Sequence, residues 1–341
     1  MSFLGISQKS QIRSHITFYE FIIFAPGNSI MKLIDKIESI TKPFDNAVIT
    51  IGNFDGVHIG HQALFHEVIE KAEAINGTSI AMTFNPHPVR VLKQNGHPPL
   101  ITIHEQKTEL IEKTGIDVLI CVPFTFDFAS ISARDFVRDL LVKRIGMKAI
   151  VVGKDYAFGK NREGNLEFLK RCAKEYDFEV IVADWIPISN YLQGRISSTK
   201  IRELVTDGKV AEAQQLLGRY YQVRGTVMPG RNRGGRLLGF PTANIKLQDE
   251  LCPKTGVYAV TVECMESGYK GVANIGYSPT FEDNIFTVEV HILDFNENIY
   301  GRNIRVNFIS RIRDELKFAD IDQLSEQIRK DIDKARRILS L

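Results

Sequence analysis

The chain has 341 residues, 44% hydrophobic and 25% charged, an ordinary globular composition that excludes a disordered or low-complexity chain. That length exceeds what one hydrophobic core usually supports, so two domains of about 100–200 residues each are expected. Forty-three basic against 41 acidic residues leave a net charge of +2, too even for a chain whose main partner is a polyanion, and no nucleic-acid partner is expected.

Residues 16–24 form the only apolar run that suggests targeting, but Glu20 interrupts it and it is too short to span a bilayer, so no membrane association is expected. The fold-like pattern begins around Met31, and residues 1–30 read as a disordered extension or a mis-called start. Cys121, Cys172, Cys252 and Cys264 are widely spaced, with no C-x-x-C pair, which argues against a zinc knuckle or a disulfide framework and fits a reducing cytoplasm.

From residue 47 to 185, apolar runs at 47–51, 79–84, 118–122, 149–153 and 179–183 alternate with helical patterns at 60–75, 104–114, 132–145 and 165–176. That alternation predicts a parallel α/β sheet. In the helix over 132–145, Ser132 is the expected N-cap, with Phe136, Val137, Leu140, Leu141 and Ile145 on one face. Two short helices around the Asp207-Gly208 turn form a connector over 199–218. The period then changes. Segments 220–228, 257–263, 270–275, 286–293 and 304–309 are short, rich in Val, Ile and Tyr, and separated by turn residues, as in a small antiparallel barrel. A final helix over 320–339 carries Leu324, Ile328, Ile332 and Leu339 as a stripe for packing on that barrel.

Two segments carry chemistry. The first, Gly52-Asn53-Phe54-Asp55-Gly56-Val57-His58-Ile59-Gly60-His61-Gln62, follows the first run and opens the first helix. His58 and His61, three residues apart, can share a face at the helix N-terminus, where exposed N–H groups and the dipole favour an anion and Gly60 lets a phosphate approach the backbone. A bare H-x-G-H fits equally well a helix cap beside a surface histidine. The cluster Ser197-Ser198-Thr199-Lys200-Ile201-Arg202 adds hydroxyls and cations before another helix, although alone it reads as an N-cap. The second segment runs from the basic Pro229–Arg236 stretch into Leu238-Gly239-Phe240-Pro241-Thr242-Ala243-Asn244; its glycines suit phosphate, and Thr242 and Asn244 offer hard oxygens suited to Mg²⁺. A solvated arginine-rich loop is the bland alternative. In the strand over 286–293, Val288, Val290 and Ile292 alternate with Thr287, Glu289 and His291, so Glu289 projects away from the apolar core.

The motif G-N-F-D-G-V-H-x-G-H-Q, then Thr83-Phe84-Asn85-Pro86-His87-Pro88, Val152-Gly153-Lys154-Asp155-Tyr156-Ala157-Phe158-Gly159 and S-S-T-x-I-R, in that order, resemble the bacterial bifunctional riboflavin kinase/FMN adenylyltransferases, also called FAD synthetases. In the second half L-G-F-P-T-A-N, Gly256-Val257-Tyr258-Ala259, Gly271–Gly276, Pro279-Thr280-Phe281, Glu289-Val290-His291-Ile292, Tyr300-Gly301 and Lys317-Phe318 resemble the family's kinase barrel.

The resemblance spans about residues 47–341 and implies a Rossmann-like nucleotidyltransferase domain at 31–198, a connector at 199–218, and a β-barrel kinase domain with a C-terminal helix at 219–341. It implies phosphorylation of riboflavin to FMN by the barrel and adenylylation of FMN to FAD by the first domain, with riboflavin, FMN and ATP as small-molecule partners, Mg²⁺ as cofactor, and a monomer or weak homo-oligomer. By the same resemblance His58, His61 and Glu289 are catalytic. Gly52, Asn53, Asp55, Gly60, Ser197, Ser198, Thr199, Arg202, Gly239, Thr242 and Asn244 bind nucleotide, with Thr242 and Asn244 holding the metal; Phe84, Pro86, His87, Pro88 and Asp155 lie at the flavin. Ser278 departs from the larger polar or basic residue expected before Pro279, which puts one substrate-loop contact in doubt. The rivals are a kinase with a silent first domain, a non-catalytic flavin sensor, and a first domain acting on another phosphorylated acceptor.

Overall fold

The computed structural model describes residues 30–93, 98–184, 186, 195–229, 239–247, 249–278 and 285–340, with the backbone alone at 277, 278, 285 and 286. The extension before Ile30, the basic stretch 230–236, Pro279-Thr280-Phe281 and the Ser278 side chain lie outside what it describes. The chain divides into two compact units, one running to Pro98 and resuming over His104–Ile186, the other comprising Pro99–Ile103 and Pro187–Leu341.

The first unit is a six-stranded sheet of β1 (Lys32–Ile34), β2 (Ala47–Ile51), β3 (Ser79–Asn85), β4 (Val118–Pro123), β5 (Met147–Gly153) and β6 (Glu179–Ala183), in the order β1-β4-β3-β2-β5-β6. Every pairing is parallel. All five residues of β2 are buried because both faces of the sheet are covered. Successive residues supply opposite cores. Val48 joins Ala81, Leu119 and Val151 beneath Phe65 and Val68 of helix α1 (Ile59–Ala74), whereas Ile49 joins Ile80, Ile120 and Ile150 beneath Val137 and Leu169 on the other face.

Short helices α2 (Pro88–Leu92) and α4 (Phe126–Ala129) flank α3 (His104–Glu112), and α6 (Leu166–Tyr176) precedes β6. Ser132 caps α5, which begins α-helical over Ala133–Asp135 and continues as a π-helix over Phe136–Ile145. Phe136, Val137, Leu141 and Ile145 are buried there and Leu140 packs against the same core, so the expected apolar face survives the change of helix type.

The second unit opens with α7 (Ser198–Thr206) and α8 (Val210–Leu217). A closed barrel follows, made of β7 (Tyr221–Met228), β8 (Ala243–Lys246), β9 (Gly256–Cys264), β10 (Ser267–Ser278), β11 (Ile285–Ile292) and β12 (Asn303–Arg313), in the order β10-β11-β8-β7-β12-β9 with β9 pairing β10. Its interior is filled by side chains including Val223, Val260, Val290 and Phe308. The segment at 99–103 belongs to this unit: Leu251 N–H donates to the Leu100 carbonyl at 2.7 Å, and Ile101 is buried in the barrel core. Helix α9 (Ile321–Ile338) sets Ala335 against Val257, Ala259 and Ile312, and Arg313 grips the buried Asp331 with Nε and Nη2. The expected stripe Leu324, Ile328, Ile332 and Leu339 is half-buried beside that seam.

Two strands were not expected from sequence. Strand β1 is three residues long and shows no alternation over that length, and β8 is four residues directly after Pro241 and Thr242. Both are shorter than the runs by which strands are recognised.

Candidate active sites

In the first unit the chain steps outward from β2 to β3 and β4, then returns to β5 on the other side of β2. Such a reversal leaves a crevice at the carboxyl ends of the strands. The segments after β2, β3 and β5, namely Gly52–His58, Pro86–Pro88 and Lys154–Asp155, therefore share one edge of the sheet.

The turn after β2 is tightly constrained. Phe54, Gly56 and Val57 all have positive φ, at 47°, 87° and 41°. At the two non-glycine positions such a conformation costs on the order of 1–3 kcal/mol each and persists only where surroundings enforce it. A Cβ on Gly52 would lie 2.7 Å from Cε1 of Phe54, so glycine there makes room for the Phe54 ring. That ring packs edge-on against His61 at 5.3 Å and Phe65 at 4.7 Å between centroids.

His58 is the N-cap of α1. Its Nδ1 accepts from the His61 N–H at 3.3 Å, which makes Nε2 the proton-bearing nitrogen of the neutral ring. The two imidazoles stack, 3.5 Å between centroids and 18° between planes. Gly60 also has a packing role that was not expected: a Cβ there would stand 3.1 Å from Cε1 of His58, so glycine seats the His58 ring over the helix end. His58 is thus the cap, whereas His61, stacked on it and only partly exposed, is not the surface histidine that the cap reading supposed.

At the end of β3, Asn85-Pro86 is a cis peptide, His87 caps α2 by accepting from the Val89 N–H at 3.2 Å, and Pro88 takes the first helical position. Phe84 packs on Phe124 and Phe128, at 5.4 and 6.0 Å between centroids. Asp155 is exposed in the turn after β5. Ser197, Ser198, Thr199 and Arg202 belong to the other unit and open α7; Ser197 is its N-cap, accepting from the Lys200 N–H at 3.2 Å, and Arg202 Nε donates to the Pro99 carbonyl at 3.0 Å.

Sequence reasoning missed three groups at the first site. Phe124 and Phe128 flank Phe84, but nothing in their spacing marks them. Lys107 is 7% exposed, and its Nζ donates to the Asn53 carbonyl at 3.2 Å, the Phe84 carbonyl at 3.3 Å and Thr83 Oγ1 at 2.9 Å. A lysine on an amphipathic helix ordinarily reads as solvent-facing.

The second site is built by strand register. Glu289 on β11 pairs with Asn244 of β8 on one side and Asn274 of β10 on the other, which sets three polar side chains in a row across three strands. Val288 and Val290 are buried inward, as the alternation requires. Burial pushes the Glu289 carboxyl above its ordinary pKa. Phe240 packs edge-on against His291 at 5.7 Å, and His291 Nδ1, 2.8 Å from the Pro241 carbonyl, donates to it. Gly239 has φ 74°, and this pair of contacts fixes the F-P-T turn against β11. Thr242 lines a cavity of about 270 Å³ with Val227, Ile292, Phe295, Asn298 and Tyr300.

Two family models match the chain: FAD synthetase over residues 40–200 and riboflavin kinase over residues 217–339. The bifunctional riboflavin kinase/FMN adenylyltransferase of Escherichia coli (strain K12) is 38% identical over 315 residues, 91% of this chain and 99% of that one. That of Buchnera aphidicola subsp. Schizaphis graminum is 36% identical over 91% of this chain and all of its own length, and that of Listeria monocytogenes 40% identical over 84% and 90%. A solved structure from Streptococcus pneumoniae, called a macrolide-efflux protein, superposes with a TM-score of 0.80 at 36% identity, covering 90% of this chain and 99% of its own. Among the described residues of this chain no helix is long and apolar enough to cross a membrane. With both models matched in order and relatives above 30% identity covered almost end to end, the chain belongs to the bifunctional riboflavin kinase/FMN adenylyltransferase family.

Proposed function

We propose that the barrel phosphorylates riboflavin to FMN with ATP and that the α/β domain adenylylates FMN to FAD with release of pyrophosphate. The observation that carries this reading is that one chain keeps both the stacked His58–His61 pair at the N-terminus of α1 and Glu289 in register between Asn244 and Asn274. The domain limits we propose are 31–198, 199–218 and 219–341, supported by family matches over 40–200 and 217–339.

In the barrel, Glu289 accepts the proton of the riboflavin primary hydroxyl as that oxygen attacks the γ-phosphorus, and ADP leaves. A carboxyl raised by burial is the stronger base once ionised. Gly239 and the Thr242-lined cavity receive the nucleotide. The hydroxyl of Thr242 and the amide oxygen of Asn244 are hard donors of the kind Mg²⁺ takes, and among the described residues no cluster of three or more His, Cys, Asp or Glu could hold a metal. That donor set fits Mg²⁺, an ion commonly held by one or two protein oxygens together with substrate phosphates and water. When bound, Mg²⁺ would neutralise phosphate charge.

In the α/β domain an FMN phosphate oxygen attacks the α-phosphorus of ATP. His58 and His61 supply hydrogen bonds to the α-phosphate and the departing pyrophosphate, beside the turn of Gly52, Asn53 and Asp55, while Gly60 seats His58. Ser197, Ser198, Thr199 and Arg202, which open α7 in the second unit, offer hydroxyls and a guanidinium suited to nucleotide phosphates. The flavin lies by Phe84, Pro86, His87, Pro88 and Asp155, and the Phe84–Phe124–Phe128 cluster is an aromatic face suited to an isoalloxazine ring.

The test is a chromatographic time course with riboflavin, Mg²⁺ and ATP beside one started from FMN. FMN that rises and then gives way to FAD, with FAD also formed from added FMN, is the expected result. FMN without FAD would leave a kinase with a silent first domain, and no product in either tube would leave a flavin sensor.

A further inference from the structure

We propose that Lys107 is a positioning residue for adenylyl transfer, its ammonium tying the turn after β2 to the end of β3 so that the nucleotide side and the flavin side of the first site keep one geometry. The inference rests on the reading of that site given above.

Lys107 spends all three N–H groups on acceptors, so its buried charge is fully satisfied. None of those acceptors is in its own helix. Two are carbonyls of Asn53 and Phe84, and the third is Thr83 Oγ1, which itself donates to the Asn53 carbonyl at 3.2 Å. One ammonium and one hydroxyl therefore close a small network across the ends of β2 and β3. A lysine needed only to pack α3 on the sheet would be replaced at lower cost by an apolar side chain, since burying a charge is expensive.

The network also leads to the histidines. The Asn53 carbonyl immediately precedes Phe54, whose positive φ needs enforcement and whose ring backs His61. Loss of the Lys107 donor leaves that carbonyl to the Thr83 hydroxyl alone, which loosens the seat of the Phe54 ring and the wall behind His61. At the other end the Phe84 carbonyl loses the Lys107 donor at the residue whose ring packs on Phe124 and Phe128. Burial lowers the Lys107 pKa, while Cys121 on β4 and Asp55 in the turn push it back up. His104 faces it from its own helix.

The test compares Lys107→Met, Thr83→Val and the double variant in the full-length chain, with kcat and KM for FMN-to-FAD conversion, thermal melting, and riboflavin phosphorylation in the same sample as an internal control. A reacting centre displaced by about 1 Å loses about 10²-fold in rate, and Lys107→Met is expected to lower the adenylyl-transfer kcat by about that factor. KM for ATP and the kinase rate should stay near wild type. Thr83→Val is expected to act in the same direction but less, and the double variant to lose less than the product of the two factors, because the residues share a hydrogen bond.

A Lys107→Met chain with lowered melting temperature but unchanged kcat would reduce the residue to packing and overturn the proposal, as would strictly multiplicative losses. If Lys107→Met does not fold, Thr83→Val decides alone, since it keeps the ammonium: lowered kcat supports the proposal and unchanged kcat defeats it. A wild-type chain that makes no FAD from FMN would overturn the site reading and this inference together, whereas an active wild type with an equally active Lys107→Met overturns the inference alone.

Discussion

The α/β unit collects its candidate site from contiguous stretches that end the neighbouring strands β3, β2 and β5, whereas the barrel collects its own from single residues on β8, β11 and β10 that meet only through register. In the first, each stretch carries its local geometry with it: a turn with three positive φ values, two helix caps and stacked imidazoles. In the second, the local backbone is plain extended strand, and the chemistry depends on closure of the barrel. A contiguous site is sensitive to its turn, and a register site to everything that holds its strands in place.

The largest expected effect follows from that dependence on one strand residue. Glu289→Gln keeps the shape and removes the base, and riboflavin phosphorylation should fall by about 10²–10⁴-fold while FAD formation from supplied FMN persists. The pH profile gives a second reading. The base works ionised, and burial raises its pKa, so kinase activity should decline on acidification at a higher pH than an ordinary glutamate would give. The adenylyl transfer should not share that limb. Loss of both activities in a folded Glu289→Gln chain would defeat the separation of the sites.

Next in size is Asp331→Ala. Asp331 is buried on α9 and takes both Nε and Nη2 of Arg313 at the end of β12, with Gln327 donating as well. Removing one partner of a buried pair costs about 3–5 kcal/mol, because the other charge is left unpaired. The barrel should therefore melt well below its normal temperature and lose kinase activity on warming. Adenylyl transfer assayed at the same temperature should outlast it.

His61→Ala addresses the contiguous site. Removing one preorganised donor at a developing oxyanion costs about 10²–10³-fold, and FAD formation should drop by that factor with riboflavin phosphorylation unaffected. Since Phe54 packs edge-on against His61, a change in melting temperature with full activity would assign His61 to packing instead.

The same contrast explains what could be read from the chain beforehand. The H-x-G-H pair, the strand before it and the helix after it are local, and β2, α1, β3 and β6 fall within a residue or two of the positions expected from periodicity. The alternation that turned Glu289 away from the core is also local, and Val288 and Val290 are buried accordingly. Lys107 was illegible because its acceptors lie up to 54 residues away, and because a lysine in a helix with ordinary amphipathic spacing carries no mark of burial. Asn274 was illegible for another reason: only pairing of β10 with β11 brings it beside Glu289. Gly60 was legible as a glycine with a purpose, but its contact with the His58 ring was not, because that contact needs a rotamer as well as a spacing.

The smallest expected effects test whether the two units respond separately. Ser132 caps α5, accepting from the Asp135 N–H at 3.1 Å, and Asp320 caps α9, accepting from the Gln323 N–H at 2.8 Å. Replacing either by alanine leaves one backbone donor without its side-chain partner and costs about 1 kcal/mol. For a unit of this size that is a shift of roughly 2–4 °C in its melting temperature. Ser132→Ala should move only the α/β transition and Asp320→Ala only the barrel transition, each without changing turnover at lower temperature. If either variant moved both transitions together, the chain would melt as one cooperative body, and the selective loss of kinase activity expected for Asp331→Ala would disappear with it.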